Sequence, residues 1–535
     1  MLMKKTKLTI HPSFKVGEIS PKLFGAFLEP IGSMVNGSMY NPKHPEADDL
    51  GFRKDFMKGL REGGLPSVRL PGGNFVSGWR WKDSIGKKEN RKQNIDMAWF
   101  QYIPNDVGHD EYLQWAERTG FEPMYTINLG TGDINDAIDI VEYTNFKGGT
   151  YWSDLRRANG HEDPYGVKVW YLGNEMDGPW QIASYEKDPR GYGILAHETS
   201  KAMKWTDPNI ETAACVSSSP FLSHYPEWDR KVLEECYETV DYISLHHYHS
   251  APIGNIGALM AGIQAYEKYI DTEIALSDYI QTKLRVKKQM KLSLDEYGCW
   301  MNVEKGGPYG MNGRMPIETW YSFDKERQYA HRDPDTNWGP GMPRGNEVMT
   351  ALAHAQVTLA LLRRADRVKI GCATGGLGMF CMTDRLHTWK GASYYIMNDL
   401  VNLAKGTSLQ PVVECDRYDI DGYAMDGMNQ YPGFEGVPYV TAGAALDEEK
   451  GELSIFVINA DWEEDHEFTL DLRGFTKAKF LEHKVLYTDD PEAFNSYENP
   501  DAIAPKAAEG TTFENGTISA TLKKQSWNVF RFDLN

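Results

Sequence analysis

The sequence has few cysteines and no long apolar segment. Its 535 residues include six cysteines without CxxC pairing or regular spacing, a pattern that fits free thiols in a reducing compartment. The N-terminus, MLMKKTKLTIHPSF, lacks the apolar run of a signal peptide, and no later stretch is apolar enough to span a membrane. These absences together predict a cytoplasmic protein without a membrane partner.

The sequence also lacks an excess of positive charge. Lys and Arg number 57 against 76 Asp and Glu, which gives a net charge of -19. An acidic surface repels phosphate backbones and anionic lipids, so nucleic acid and membrane surfaces are excluded as expected partners. A neutral ligand is indifferent to this charge. Aromatic residues make up 12% of the chain; most should pack in the core, but a few suit the flat apolar faces of sugar rings.

Between about residues 23 and 375, short apolar runs alternate with amphipathic segments, a rhythm typical of repeated βα units. The predicted helical segments are Phe52–Glu62, Asp110–Thr119, Ile134–Asn145 and Ile256–Lys288. The predicted strands are Leu23–Leu28, Ser67–Leu70, Pro123–Leu129, Val167–Leu172, Thr212–Val216, Tyr242–His246, Lys291–Asp295 and Val368–Cys372. Eight strands with interposed helices favour a closed parallel (β/α)8 TIM barrel over an open sheet.

Two long excursions interrupt this rhythm. Asn74–Val107 follows the second predicted strand, and Met301–Arg344 follows the seventh. The second excursion is rich in Gly, Pro and Asn and contains Trp320, Tyr321 and Trp338. Both leave the carboxyl ends of strands, where a barrel builds its active site, so we expect them to shape its mouth.

After about residue 405 the pattern changes to alternating apolar and polar residues separated by turn signals. The predicted strands here are Tyr439–Ala445, Leu453–Asn459, Glu467–Leu472, Lys479–Tyr487 and Trp527–Asp533. They indicate an antiparallel, jelly-roll-like β-sandwich. We therefore predict a catalytic barrel over residues 18–400 and a sandwich over residues 401–535. The N-terminal segment, residues 1–17, holds the strand-like Lys5–Ile10 and is expected to join the sandwich.

Two acidic residues close apolar runs at the ends of the fourth and seventh predicted strands. Glu175 ends the run Trp170-Tyr-Leu-Gly-Asn-Glu, and Glu296 ends Lys291-Leu-Ser-Leu-Asp-Glu. Strands 4 and 7 lie across the mouth of an eight-stranded barrel, so both side chains can reach one small ligand. One such Glu alone would more often belong to a structural ion pair. Two converging carboxylates are what glycoside hydrolysis requires.

The combined motifs resemble family 51 glycoside hydrolases, the α-L-arabinofuranosidases, in family order across most of the chain. The matching stretches are Phe24-Gly-Ala-Phe-Leu-Glu29, Arg69-Leu-Pro-Gly-Gly-Asn74, Trp79-Arg-Trp-Lys-Asp-Ser-Ile-Gly86, Glu122-Pro-Met-Tyr125, Asn128-Leu-Gly-Thr-Gly132, Gly173-Asn-Glu-Met-Asp-Gly-Pro-Trp180, Ser244-Leu-His-His-Tyr248 and Asp295-Glu296. The resemblance implies a retaining enzyme that removes terminal α-L-arabinofuranosyl residues from arabinose-containing oligosaccharides. It also implies a homo-oligomer, commonly a hexamer, and no cofactor.

The resemblance further implies the roles of individual residues. Glu175 would be the acid/base and Glu296 the nucleophile, with their carboxyls about 5 Å apart. The remaining positions would bind the sugar or orient the nucleophile: Glu29, Asn74, Asn174, Tyr248 and Gln356.

Three further side chains are candidates on chemical grounds. Arg69 could pair with a catalytic carboxylate or serve as a buried structural partner. Trp180 and Trp300 follow the two carboxylates closely, and either sugar stacking or packing at the rim would explain them.

Three histidines within four residues, His246, His247 and His249, raise the question of a metal site. Residues two apart in a strand share a face, so His246 would point one way and the other two the opposite way. No acidic or thiol ligand nearby completes a site. We therefore predict no metal, and we assign His246 as a hydrogen-bonding partner of the catalytic carboxylates.

The chain departs from the family pattern near the barrel mouth. Glu29-Pro-Ile-Gly32 stands where Glu-His-Leu-Gly is usual, and Ile85-Gly-Lys87 lacks the proline that commonly follows the glycine. These departures leave the linkage preference and the choice between exo and endo action open. The alternatives are a related retaining glycosidase, such as an endo-β-glucanase or β-xylosidase, and a non-catalytic sugar-binding protein.

Overall fold

A closed barrel of eight parallel strands forms the first part of the chain. The computed structural model describes residues 3–303, 329, 331, 347–424, 430–490 and 493–535. The barrel strands, in chain and neighbour order, are Gly25–Phe27, Ser67–Arg69, Glu122–Ile127, Val169–Leu172, Glu211–Cys215, Tyr242–Pro252, Lys291–Val303 and Val368–Thr374. The last strand pairs with the first, which closes the barrel. This confirms the predicted (β/α)8 fold.

The helices between these strands bury one side against the barrel. Lys54–Gly63, for example, buries Phe56, Met57 and Leu60 and ends where Gly64 adopts a φ of 79°, the left-handed conformation that commonly terminates a helix. The predicted segment Ile256–Lys288 forms two helices. The described helices are Lys54–Gly63, His109–Thr119, Ile134–Asn145, Tyr151–Ala158, Pro189–Thr206, Glu227–Cys236, Ile256–Ala261, Ile263–Leu284, Val348–Leu362, Leu377–Phe380 and Ala392–Leu403.

Two packed sheets form a β-sandwich from the C-terminal part of the chain and its N-terminal strands. One sheet has the order Val412–Glu414, Lys4–Thr9, His466–Asp471, Thr517–Leu522 and Thr512–Glu514. The other has the order Lys15–Glu18, Thr407–Leu409, Val440–Asp447, Glu452–Asn459, Ser526–Asp533, Lys479–Leu486 and Lys506–Ala507. The described pairings within these two sheets are antiparallel except that Lys4–Thr9 runs parallel to His466–Asp471.

A hairpin of the C-terminal part reaches back to the barrel. It comprises Arg417–Ala424 and Gln430–Pro438. Its Tyr431 hydroxyl donates a hydrogen bond of 3.2 Å to the main-chain oxygen of Tyr248, at the extended end of the sixth barrel strand. The hairpin therefore holds a strand that carries candidate site residues.

The helix Val348–Leu362 is buried on all sides. It contacts the seventh and eighth barrel strands on one side and Val440–Asp447 of the sandwich on the other. Nearby, Trp527 of the sandwich is 1% exposed and donates its indole N–H to Asp399 of Ala392–Leu403 at 3.0 Å. The interface between barrel and sandwich therefore belongs to the hydrophobic core.

Within the described ranges, no helix is long and apolar enough to cross a membrane. The excursion Asn74–Val107 contains short 3-10 turns and a small hairpin, Asn94–Asp96 with Gln101–Ile103. Most of the predicted excursion Met301–Arg344, including Trp320, Tyr321 and Trp338, lies outside the described residues.

Replacing Trp527 by Ala should lower the free energy of unfolding by about 3–5 kcal/mol, because it leaves a large cavity at this interface. Urea denaturation followed by circular dichroism measures the change. Trp205→Ala is the matched control: Trp205 is 82% exposed, so its loss should change stability by less than about 0.5 kcal/mol. Equal effects of the two substitutions would contradict the inferred packing.

Candidate active site

The fourth barrel strand ends in a tight turn that presents Glu175. Gly173 adopts a φ of 91° and Glu175 a φ of 44°, and such left-handed conformations are strained for a residue with a side chain. A Cβ on Gly173 would also lie 2.8 Å from the sulfur of Met176. Gln181 holds the turn by donating from Nε2 to the main-chain oxygen of Asn174 at 2.8 Å. The turn directs Asn174 and Glu175 toward the barrel mouth.

A β-bulge in the seventh strand places two successive carboxylates in the same region. Leu245 of the sixth strand pairs with Leu294, but the next residue, His246, pairs with Glu296, so Asp295 is the extra residue. Regular alternation would send Asp295 and Glu296 to opposite faces. The bulge instead lets both reach Arg69.

Arg69, at the end of the second strand, connects three other elements of the site. One of its terminal nitrogens donates to Glu296 Oε1 at 2.6 Å, and the other donates to Asn174 Oδ1 at 2.8 Å. Its Nε lies 3.1 Å from Asp295 Oδ2. The guanidinium is completely buried, so the carboxylates supply the counter-charge that burial of a cation requires.

His246 lies between the acidic side chains. Its Nδ1 is 3.0 Å from Glu175 Oε1, and its Nε2 is 3.1 Å from Asp295 Oδ2. Burial opposes the charged imidazole, but the neighbouring carboxylates, Glu296 foremost, outweigh burial and raise the pKa of His246 to about 10. Both ring nitrogens then carry protons and donate.

Glu175 and Glu296 face each other across a short gap. One carboxylate oxygen of each, together with a ring nitrogen of His246, all lie within 4.8 Å of one another. Tyr248 donates its hydroxyl to Glu296 Oε2 at 2.6 Å, and Trp180 donates its indole N–H to Glu175 Oε2 at 2.5 Å. The short distance between the two carboxylates fits the roughly 5 Å separation of carboxyls in glycosidases that act with retention.

The electrostatic environment differs between the two glutamates. Burial raises the pKa of Glu175 above its usual value; the hydrogen bond from His246 opposes that shift, and the charge of Glu296 adds to it. Glu296 is bonded to the Arg69 guanidinium. A neutral Glu175 leaves two cations, Arg69 and His246, balanced by the carboxylates of Asp295 and Glu296. The arrangement therefore suits one proton donor and one anionic nucleophile.

Glu29 and Asn74 line another side of the candidate site. Glu29 Oε1 accepts hydrogen bonds from the Phe75 N–H at 3.0 Å and from the Trp99 indole at 2.7 Å. Burial, with the charge of Glu296 next in importance, raises the pKa of Glu29 to about 8. Asn74 accepts from Asn174 Nδ2 at 3.1 Å. These polar groups point into the region beside the two glutamates and can bind sugar hydroxyls.

The grouping of Glu175, His246 and Glu296 is close enough to hold a cation. Each group already has a charged or polar partner, however, and Arg69 and His246 supply positive charge at the same place. A metal ion would have to displace the proton of His246. The donor set thus fits proton transfer better than metal binding.

The other predicted site residues lie at the margins. Trp300 stacks on Tyr248 with ring centroids 5.4 Å apart. His247 and His249 are buried against Tyr266 and Tyr431, on the side away from His246, as strand alternation predicted. These positions leave Trp300 at the rim of the site and the two histidines in the core.

The structure does not bring Gln356 into the hydrogen-bonded network. It lies in the middle of Val348–Leu362, and among the described residues its Nε2 has no hydrogen-bond partner. The described contacts do not test its predicted contact with the sugar rim, which stays a prediction.

Sequence inspection missed several residues that complete the site. Trp99 bonds to Glu29, Gln181 supports Asn174, and Thr374 lies 2.8 Å from the hydroxyl of Tyr248. Trp99 follows an Asp96 turn in the excursion after the second strand, where no periodic pattern gives its position. Thr374 is the last residue of the eighth barrel strand. Its position at the end of a strand is the one feature of the sequence that could have identified it as a site residue.

Known proteins match this chain over most of its length. The α-L-arabinofuranosidase 1 domain profile matches residues 60–274, and the α-L-arabinofuranosidase C-terminal domain profile matches residues 295–526. An intracellular exo-α-(1→5)-L-arabinofuranosidase 1 from Bacillus subtilis is 36% identical over 99% of both chains. The chain belongs to the family 51 α-L-arabinofuranosidases.

Two further relatives of this family 51 chain cover its whole length. An intracellular exo-α-(1→5)-L-arabinofuranosidase from Acetivibrio thermocellus is 34% identical over 99% of both chains. A solved structure of a family 51 α-L-arabinofuranosidase from Bifidobacterium longum superposes with a TM-score of 0.82 at 28% identity, covering 99% of each chain. The barrel and the sandwich are therefore both parts of the family architecture.

Replacing Arg69 by Met should destabilise the fold by about 3–5 kcal/mol, because it leaves buried carboxylates without their counter-charge. Thermal and urea unfolding at a fixed pH measure the loss. Arg157→Met is the control, because Arg157 pairs with Asp154 and Glu162 on the surface. A loss in Arg69→Met no larger than that in Arg157→Met would contradict the pairing.

Proposed function

We propose that this protein is an exo-acting α-L-arabinofuranosidase that hydrolyses its substrate with retention of anomeric configuration. The observation that carries this proposal is the pair Glu175 and Glu296, which have carboxylate oxygens within 4.8 Å of each other. Glu175 lies in the turn after the fourth strand, and Glu296 lies at the bulge within the seventh. The names of the relatives from Bacillus subtilis and Acetivibrio thermocellus support exo action on α-(1→5) linkages and an intracellular location. Arabinose-containing oligosaccharides are the substrates.

In the first step Glu296 attacks the anomeric carbon and forms a covalent arabinosyl-enzyme. Arg69 and Tyr248, bonded to the two oxygens of Glu296, hold the carboxylate in place for attack. Glu175 gives its proton to the departing glycosidic oxygen. Burial of Glu175 and the negative charge of Glu296 keep it protonated for this role.

In the second step water attacks the same carbon and the bond from that carbon to Glu296 breaks, which returns Glu296 as a carboxylate. Glu175 takes the proton of the attacking water. Before this step Glu296 has lost its charge in the ester, so the repulsion that kept Glu175 protonated is removed. The Glu175 pKa falls at the moment when a base is required. The two displacements return the original anomeric configuration.

Polar side chains around the glutamates bind the furanose. Asn174, held by Arg69 and Asn74, lies beside the nucleophile and is assigned to the 2-hydroxyl. Glu29 and Asn74 bind the remaining hydroxyls. Trp180 and Trp300 offer ring faces to the sugar and the leaving group.

Glu296→Ala should abolish turnover of an aryl α-L-arabinofuranoside, and Glu175→Ala should reduce it by about 10²–10⁴-fold. The loss in Glu175→Ala should be smaller for aryl groups that leave readily, because these need little protonation. Steady-state kinetics with a series of aryl leaving groups measures both effects. Glu467→Ala is the control, since its carboxylate lies in an exposed ion pair with Lys5.

A panel of substrates tests the sugar and the linkage. The protein should release arabinose from α-(1→5)-linked arabino-oligosaccharides and leave aryl β-xylosides and β-glucan intact. Preferential cleavage of either β-linked substrate would contradict the proposal. Tight sugar binding without turnover would instead support a non-catalytic sugar-binding protein.

We also expect a homo-oligomer, most simply the hexamer that the family resemblance implies. Multi-angle light scattering measures the mass in solution. A mass of 60.7 kDa, that of a single chain, would contradict this expectation.

A further inference from the structure

Both oxygens of the Glu175 carboxyl accept hydrogen bonds from ring N–H groups. Oε1 faces Nδ1 of His246 at 3.0 Å, and Oε2 accepts the indole N–H of Trp180 at 2.5 Å. Glu175 is 8% exposed, so these donors replace most of its contact with water. Hydrogen bonds to an ionised group are stronger than those between neutral groups.

The backbone of the same turn holds the Trp180 indole in this position. The main-chain N–H of Gly178 donates to the main-chain oxygen of Glu175 at 2.8 Å, and the main-chain N–H of Gln181 donates to the main-chain oxygen of Gly178 at 3.1 Å. The indole folds back over Gly178 so closely that a Cβ there would lie 2.6 Å from its Cε2 atom. The absence of a side chain at position 178 therefore permits the bond between Trp180 and Glu175.

A sugar-stacking wall would need only the ring face of Trp180. The indole N–H is instead directed at the one carboxyl that must act as an acid in the first step and a base in the second. A donor on this carboxyl favours its ionised form. Trp180 thus opposes the effect of burial, which favours the protonated form.

We propose that Trp180 is a positioning residue that tunes Glu175 between its two roles: its indole N–H fixes Oε2 and stabilises the carboxylate that serves as base in deglycosylation. This inference rests on the proposed function of Glu175. Phe at position 180 would keep an aromatic face for the sugar but would lose the donor.

The other ionisable groups around Glu175 stay in place in such a variant. His246 approaches from the sixth strand and Glu296 from the seventh. Burial first, and then the charges of neighbouring carboxylates that include Glu175, raise the pKa values of Tyr248 and Glu29. The hydrogen bonds described for His246, Tyr248 and Glu29 go to groups other than Trp180, so the substitution leaves those bonds in place.

Trp180→Phe is the direct test. Loss of the donor raises the pKa of Glu175, so Glu175 remains protonated to higher pH. The alkaline limb of kcat/KM for an aryl α-L-arabinofuranoside should therefore move upward by about one pH unit. The kcat for a substrate with a good leaving group should fall at low pH, because deglycosylation needs the ionised form.

Gly178→Ala provides a second variant that keeps the indole but displaces it from Glu175. Its φ lies outside the left-handed region, so Ala is tolerated by the backbone there, and it should move the alkaline limb in the same direction. Trp300→Phe is the control: Trp300 stacks on Tyr248, and its replacement should leave the limb where it is, whatever its effect on rate.

An alkaline limb unmoved to within about 0.3 pH unit in both Trp180→Phe and Gly178→Ala would overturn the inference, even if the rate falls. A wild-type protein inactive on every α-L-arabinofuranoside would instead refute the proposed function. In that case a carboxyl ¹³C NMR titration still measures the Glu175 pKa, with its resonance identified by its absence from Glu175→Gln. An equal Glu175 pKa in wild type and Trp180→Phe would again overturn the inference.

Discussion

The site depends on one buried cation. The Arg69 guanidinium, at the end of the second barrel strand, contacts Asn174 on the fourth strand and both Asp295 and Glu296 on the seventh. A completely buried guanidinium is stable only with carboxylates beside it, and those carboxylates are in turn stable in the interior only with the guanidinium. This mutual requirement connects residues of three strands and their turns, and it fixes the Glu296 carboxylate and the Asn174 amide in one arrangement before substrate binds.

The sequence allowed prediction of the two glutamates because each ends an apolar run, and the strand count brings such ends together at one barrel mouth. It did not allow prediction of the contact between Asp295 and Arg69. Strand alternation sends Asp295 away from Glu296, and only the bulge opposite Leu245 and His246 turns it inward. A bulge arises from pairing between strands that are distant in the chain, so no local sequence pattern predicts it. The contacts of Trp99 and Gln181 depend on loops in the same way.

In the fold, too, elements set by the local sequence were predictable, whereas elements set by contacts distant in the chain were not. All eight barrel strands were predictable as short apolar runs bounded by turn signals. The helix Val348–Leu362 was not, because it packs against the barrel on one side and the sandwich on the other and therefore has no polar face. Gln356 lies in the middle of this buried helix, and its contact with the sugar stays a prediction from the family resemblance. The pairing of Lys4–Thr9 with His466–Asp471 joins segments that only the folded domain brings together.

Charge balance limits how this site can vary. Arg69 and His246 offset Asp295 and Glu296, and a Glu175 that alternates between acid and base must work within that balance. A further charge would shift every neighbouring equilibrium at once, since low solvent exposure makes the interactions strong. Apart from Arg69 and His246, the described donors to the glutamates of the site are neutral: Tyr248 donates to Glu296, Trp180 to Glu175 and Trp99 to Glu29. Neutral hydrogen-bond donors can adjust proton affinity in small steps and position a sugar without upsetting the ion pairs on which the fold itself depends.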